Sequence, residues 1–400
     1  MITAVFTCFV LGLIGASLIL VLELRRKHVH LWLGSYLSQR ARVRHVRREA
    51  LARAPIHVLF CVVDHFEPIS SGSTKDQERA RMRAWRDGYP RLAGRHHDSH
   101  GRPPQHTWFY PIEAYRSEYL DGLGELCQQG LGEIEVHLHH SNDTHEALEK
   151  KLRQGLADFS KHGAQLTQEV PPRTTYGFIH GNMALDNARL DPVYCGVNDE
   201  LTVLRHTGCY ADFSLPTAPC MSQSRKVNAI YYATDDPGRP KSFDTGVEVE
   251  VGGCETGDLL IVPGPLSLNW QNRKWGLFPR IENSELQGSN PPCASRVQNW
   301  VKQHIHVTGR PEWVFVKVSC HGAEERSWDA LLGQSAEEMY SALEALYRDR
   351  SEYRLHYVTA RELYNIIKAA EAGKTGDPNQ YKDFAIPPYR THGAMSHHVH

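Results

Sequence analysis

Short apolar runs that alternate with segments of helical spacing constrain the fold of this chain more than any other sequence feature. Eight runs have the length and the β-branched or aromatic content of buried strands: residues 56–63, 106–110, 134–139, 175–180, 209–213, 259–262, 313–319 and 353–358. Segments with apolar residues at helical spacing fall between many of them: residues 113–128, 144–161, 198–206, 296–306, 335–348 and 360–372. Because such alternation is typical of parallel strands joined by crossover helices, we expect an α/β fold.

The rest of the chain divides around this core. Residues 217–257 and 263–292 are rich in Gly, Pro, Asn and Asp, which predicts long loops or hairpins over one end of the sheet. Residues 373–400 lack periodicity and predict a tail whose final histidines form a mobile end. We therefore expect an anchor over residues 1–24, a basic segment over 25–54, a catalytic domain over 55–372 and a tail over 373–400.

The N-terminal region predicts a membrane anchor. Residues 2–22 carry no charge, and 21 residues of helix, at about 1.5 Å each, span the roughly 30 Å hydrocarbon core of a bilayer. A cleaved signal peptide is the alternative, but no basic residue precedes the run and no A-x-A-like site follows it. Nine Lys and Arg residues against one acid between residues 25 and 53 predict a cytoplasmic domain. This segment could equally be an amphipathic helix lying on anionic headgroups.

Charge and cysteine content exclude several classes of protein. The net charge is −1, so outside the basic segment nothing favours binding to nucleic acid. The nine cysteines are scattered without C-x-x-C pairs, which indicates neither a disulfide framework nor a zinc knuckle and fits a reducing compartment. Histidine is abundant, at 24 residues, and several of these histidines lie at the ends of predicted strands.

Two groups of candidate catalytic residues follow predicted strands. Asp64 and His65 directly follow the first predicted strand, at the carboxyl edge where α/β enzymes gather their catalytic side chains. The alternative is a loop-capping aspartate beside an exposed histidine. His137 and His139 share one face of a later strand, within reach of a single ion, and His140 can turn towards them. Burying three imidazoles without a metal or a carboxylate is costly, so this cluster predicts a metal site.

Three further segments carry weaker signals. His180 and Asn182 lie where a strand runs into a tight turn, and they could bind sugar hydroxyls or orient a metal ligand. Tyr210 and Asp212 share a strand face that could line a polar groove, or that could simply be the solvated face of an edge strand. His321 ends a late strand and is a candidate general acid, because imidazole titrates near neutral pH.

In this order, the motifs resemble those of the polysaccharide deacetylases of carbohydrate esterase family 4, the NodB-homology group. The resemblance covers roughly residues 56–325, and the chain would be a divergent member with an N-terminal membrane anchor. It departs from the family at Asp64-His65, where the family has two adjacent aspartates, and in its histidine motif. The resemblance implies a distorted (β/α)7 barrel with long loop insertions.

The resemblance also implies roles for these residues. Asp64 would be the catalytic base and His321 the general acid. The implied ligands of a divalent metal, zinc by preference, are His65 with two of His137, His139 and His140. If Asp64 binds the metal instead, the base must come from elsewhere, and Glu67 is the nearest carboxylate in the sequence.

We therefore expect a metal-dependent deacetylase that removes N- or O-acetyl groups from a glycan. A membrane anchor suggests a membrane-held substrate such as a precursor in exopolysaccharide biosynthesis, with other polysaccharide-synthesis proteins as partners. Two alternatives stay open: a glycoside hydrolase or other metal-dependent hydrolase on the same fold, and a catalytically degenerate protein that binds glycan or acts as a scaffold.

Overall fold

The computed structural model describes residues 15, 17–52, 55–348 and 350–390. Most of the predicted anchor and the last ten residues, with their histidines, lie outside the described residues. In the part that is described, no helix is both long and apolar enough to cross a membrane.

Strands and helices alternate through most of the chain. The strands are β1 (Ile56–His65), β2 (His106–Pro111), β3 (Gly132–Leu138), β4 (Tyr176–His180), β5 (Cys209–Asp212), β6 (Tyr231–Ala233), β7 (Val247–Glu248), β8 (Leu259–Ile261), β9 (Ser267–Lys274), β10 (Phe278–Glu282), β11 (Glu285–Leu286), β12 (Trp313–Cys320) and β13 (Tyr353–Tyr357). The helices are α1 (Val29–Ala52), α2 (Lys75–Ala93), α3 (Ser117–Gln128), α4 (His145–Ser160), α5 (Glu200–His206), α6 (Ala294–Lys302), α7 (Trp328–Leu332), α8 (Gln334–Tyr347) and α9 (Ala360–Glu371). All eight predicted strands are present, as are the six predicted helices.

One large sheet organises the fold, in the order β11-β12-β1-β2-β3-β4-β5-β8-β6-β7, with β13 also paired to β1. The pairs from β11 through β8 are parallel, while β6 and β7 are antiparallel additions. Strands β9 and β10 form a separate hairpin. The predicted α/β fold with a large parallel sheet is thus confirmed.

The sheet curls on itself. Strands β12 and β5 are well separated in the strand order, yet the Lys317 ammonium group on β12 donates to the carbonyls of Phe213 and Leu215 just after β5. A flat sheet could not allow this contact, since neighbouring strands lie about 4.8 Å apart. The curvature brings the carboxyl ends of β12, β1 and β3 around a shared space.

Apolar side chains fill both faces of this sheet, as the alternation along β1 shows. Val58, Phe60 and Val62 join the outer core under the flanking helices, whereas Leu59 and Cys61 join the inner core, which α9 covers. Continuous apolar runs are expected of parallel strands buried on both faces.

Helix α1 runs through the predicted basic segment, for which the sequence left a helix open, and its Val29 and Trp32 side chains are buried. Two segments differ from the sequence-based expectation. The charged helix α2 was not predicted at all. The start of the predicted tail packs against the inner core, where Ile386 and Tyr389 are buried.

Candidate metal centre

Three histidines meet at the carboxyl edge of the sheet. His65 ends β1, His137 lies near the end of β3 and His321 follows β12. The ring centroid of His65 lies 4.7 Å from that of His321, in a stacked arrangement, and 5.0 Å from that of His137. Odd-numbered positions of β1 face the inner core, so His65 turns inwards because of strand alternation.

Glu67 lies among these rings. Its Oε1 is 3.3 Å from Nε2 of His137, and its Oε2 is 3.7 Å from Nε2 of His139. Burial alone would raise the pKa of Glu67, but its contact with His137 and the nearby imidazoles lower it to about 2. One ligand atom from each of His65, Glu67 and His137 lies within 4.8 Å of the others, so these three residues could hold one metal ion.

The backbone fixes the tautomer of His137. Its Nδ1 donates to the carbonyl of Ile179 at 2.8 Å, which leaves the lone pair of Nε2 facing Glu67 when the ring is neutral. Metal-binding histidines are commonly oriented through such a bond from the second ring nitrogen. Burial and the neighbouring imidazoles also lower the pKa of His65 well below its usual range, which keeps that ring neutral and able to bind a metal.

A carboxylate lies behind each of two partly exposed histidines at this edge, His139 and His321. Nδ1 of His139 is 2.8 Å from Glu113 Oε1, and Nδ1 of His321 is 3.5 Å from Glu285 Oε1. Burial would lower the pKa of both imidazoles, but the hydrogen bonds and charges of the glutamates raise it overall. The His139 and His321 side chains are 33% and 38% exposed, so this edge is open to a substrate.

Asp64 does not reach this cluster. It precedes His65 on the strand, and side chains of adjacent strand residues point to opposite faces. Its carboxylate is fully buried in the outer layer, 2.9 Å from Nε2 of His106, and accepts the backbone N–H of Gly322 at 2.6 Å. A Cβ at Gly322 would overlap this carboxylate and the ring of Trp85. The expected Asp64 base is therefore separated by the sheet from His65 and its neighbours.

The structure also separates His140 from His137 and His139. The rings of His137 and His139 stay together, with centroids 4.5 Å apart. His140 lies two residues after Leu138 and points to the same face, towards the outer core. There it lies with His180 in a second buried cluster. The histidine motif that the sequence predicted to supply two ligands of one ion is therefore divided between two places.

Two of the predicted substrate-binding residues are occupied by internal contacts. The Tyr210 hydroxyl is buried and donates to Glu135 at 2.6 Å. The Asp212 carboxylate is buried, accepts the Ser214 hydroxyl at 2.7 Å, and faces the charge of Lys317. Neither side chain lines the open edge.

Asn182 lies closer to the open edge. It is half-buried in a left-handed conformation (φ 57°) directly after Gly181, where a side chain would clash with the His139 ring. This loop thus forms part of the wall beside His139.

Sequence reasoning missed the carboxylate partners of both His139 and His321. Glu113 follows β2 and Glu285 begins β11, far from His139 and His321 along the chain. A glutamate directly after a predicted strand is a usable signal for Glu113, whereas the short strand β11 gives no comparable pattern.

No family model matches this chain, and no curated protein matches it. Among solved structures, it is similar to a putative glycoside hydrolase/deacetylase from Parabacteroides distasonis, with 11% identity and a TM-score of 0.40. That similarity covers 80% of this chain and 71% of the other. A TM-score this low supports no conclusion about function, which must come from the residues of the site itself.

Proposed function

We propose that this chain is a metal-dependent hydrolase that removes acetyl groups from a glycan. One observation carries the proposal: a carboxylate, Glu67, lies among four imidazoles at the open edge of the sheet, and two of those imidazoles have a carboxylate behind them. The choice of an acetylated glycan rests on the motif order that resembles the polysaccharide deacetylases.

His65, Glu67 and His137 would hold the ion. Two imidazoles and one carboxylate are a ligand set that catalytic zinc sites use, with a further position open to solvent. When bound, a divalent ion would polarise the acetyl carbonyl and acidify a water molecule.

His139 and His321 would transfer the protons of this reaction. His139, held by Glu113, would accept the proton of the attacking water, a role the sequence had suggested for Asp64. When the bond between the acetyl carbon and the sugar nitrogen or oxygen breaks, His321 would protonate the departing atom. The products are acetate and a free amine or hydroxyl group.

The glycoside hydrolase alternative keeps some support from the same site. Glu67 and Glu113 both approach the His139 ring, at 3.7 and 2.8 Å, so two carboxylates lie near one another. Glycosidases use such a pair. A glycoside hydrolase would release shortened sugars and no acetate.

The test combines metal analysis with product analysis. We expect the full chain, purified in detergent, to carry a transition metal at the open site and to release acetate from N- or O-acetylated oligosaccharides. His137→Ala should lose that metal and at least about 100-fold in rate, on the order expected for loss of metal-assisted catalysis. The exposed His206→Ala is the matched control. A chain that binds no metal at His137, even after reconstitution, would contradict the proposal.

We also propose that the protein acts at a membrane surface on a membrane-held glycan. The apolar run of residues 2–22 and the basic residues that follow it support this, as does the exposed apolar tip of the β9–β10 hairpin. Trp275 and Leu277 at this tip are 77% and 70% exposed.

A further inference from the structure

A second cluster of metal-binding side chains lies on the other side of the sheet edge. His140 follows β3, His180 ends β4, Cys195 belongs to a loop and Glu200 begins α5. All four are buried, and one ligand atom of each lies within 4.8 Å of the others. The proposed hydrolase reaction uses none of them.

The spacing of these atoms fits a small tetrahedral ion. Glu200 Oε1 lies 3.0 Å from His140 Nε2 and 3.5 Å from His180 Nε2, and Glu200 Oε2 lies 3.6 Å from Cys195 Sγ. Zinc bonds of about 2.0 Å to nitrogen or oxygen and about 2.3 Å to sulfur place tetrahedral ligands about 3.3–3.8 Å apart. Small shifts would therefore bring the four atoms onto one ion.

Both imidazoles are oriented so that Nε2 points into the cluster. Nδ1 of His180 donates to the carbonyl of Gly181, while Nδ1 of His140 lies 3.1 Å from Asp143, which Lys151 holds in turn. A carboxylate behind a histidine is the usual support of a zinc ligand. Nε2 of His180 is fully buried and makes no hydrogen bond of normal geometry to any described residue, so a partner is missing at this point.

The other two ligands are also fixed by the backbone. Glu200 Oε2 accepts the N–H of Asp186 at 2.6 Å, and Cys195 Sγ accepts the N–H of Val197 at 3.4 Å. Two neutral imidazoles, one thiolate and one carboxylate would neutralise Zn²⁺, which favours burial of the whole group.

We propose that His140, His180, Cys195 and Glu200 bind one zinc ion as a closed structural site. Four protein ligands without an open position are typical of zinc that stabilises a fold, in contrast to the solvent-open set around Glu67. The ion would join the ends of β3 and β4 to α5 and so hold the Gly181–Asn182 loop against His139.

Cobalt substitution tests this proposal separately from the hydrolase. Thiolate coordination gives cobalt proteins a charge-transfer band in the ultraviolet, and Cys195 supplies a thiolate only to the closed site. We expect the cobalt-loaded full chain to show this band and Cys195→Ser to abolish it with loss of about one equivalent of metal. His137→Ala should keep the band, and so should Cys127→Ser on α3.

A second variant guards against simple misfolding. Glu200→Gln has nearly the same shape and can still accept the N–H of Asp186, so it should fold but lose about one equivalent of zinc and unfold at a lower temperature. A cobalt protein without the thiolate band, or a metal content unchanged in both Cys195→Ser and Glu200→Gln, would overturn the site. Loss of hydrolase activity with the band intact would count against the proposed function alone.

Discussion

At the scale of single residues, the glutamate behind His321 gives a sharp test of the proposed acid. Glu285 raises the pKa of His321, and a general acid works only while protonated, so activity should fall as pH rises through that pKa. Glu285→Gln should move this alkaline limb to lower pH and reduce kcat/KM at pH 8 about tenfold or more. The measurement is the pH profile of acetate release.

The neighbouring Glu324 is the matched control for that experiment. Its carboxylate pairs with Arg326, 2.7 Å away, at the surface. Glu324 also raises the pKa of His321, but less than Glu285 does, so Glu324→Gln should shift the alkaline limb much less than Glu285→Gln. If both variants shift the profile equally, a general change in surface charge would explain the result and His321 would lose its role.

A second residue-scale prediction concerns stability, at the opposite end of the sheet. His57 and His356 are buried with ring nitrogens 2.8 Å apart, and burial lowers the pKa of His57 to about 4. In this pH range the unfolded chain binds a proton at His57 that the folded chain does not bind. The free energy of unfolding should therefore fall as pH drops from about 6.5 towards 4, by roughly 2 kcal/mol for this group.

The variant His57→Gln should reduce that acid sensitivity. Urea unfolding at pH 7 and pH 5 would measure the difference, with the exposed His206→Gln as control. We expect a smaller loss of unfolding free energy between the two pH values in His57→Gln than in the wild type. An equal loss in both would show that His57 does not stay neutral in the folded protein.

Residue alternation explains what the sequence could and could not predict about the site. The pairing of His137 with His139 followed from strand alternation and is seen in the structure. The same rule, applied to Asp64 and His65, puts them on opposite faces, yet the family motif led us to expect both at one ion. The rule applies to Asp64 and His65 only if the strand continues through His65. The predicted strand ended at residue 63, whereas β1 extends to His65.

At the scale of elements, apolar content decided which parts could be predicted. Strands buried on both faces leave long apolar runs, so all eight of those predictions match the structure. Helix α2 was missed because its buried side is short of aliphatic residues and depends on Trp85, Tyr89 and Leu92 in a largely charged segment. Its capping box at Thr74 and Gln77 was a usable signal.

Contacts between distant elements were beyond the reach of the sequence. Glu200 begins a helix that the sequence predicted, but its approach to His140 and His180 depends on how α5 meets the ends of β3 and β4. Cys195 was one of nine scattered cysteines and had no neighbouring cysteine to suggest a metal site. Such clusters form only when the sheet curls and its loops meet.

At the scale of the whole molecule, helix α1 packs against the β9–β10 hairpin. Val29 and Trp32 of α1 pack with Leu268 and Ile281, which lie in the two strands of the hairpin. The exposed hairpin tip is thereby fixed beside the residues that follow the predicted anchor. A membrane that held the N-terminal run would lie near this tip.

The composition of the tip suits a membrane interface. Trp275 lies under the Lys274 ammonium group, 4.5 Å from the ring centroid, and aromatic residues beside cations are typical of headgroup regions. Reconstituted into vesicles that contain brominated lipids, the full chain should show tryptophan quenching that Trp275→Phe reduces. Trp328→Phe is the control, because Trp328 lies beside Gly322 at the carboxyl edge of the sheet. Equal quenching in the wild type and Trp275→Phe would show that the hairpin lies away from the bilayer. The apolar run of residues 2–22 would then be the remaining support for a membrane-held substrate.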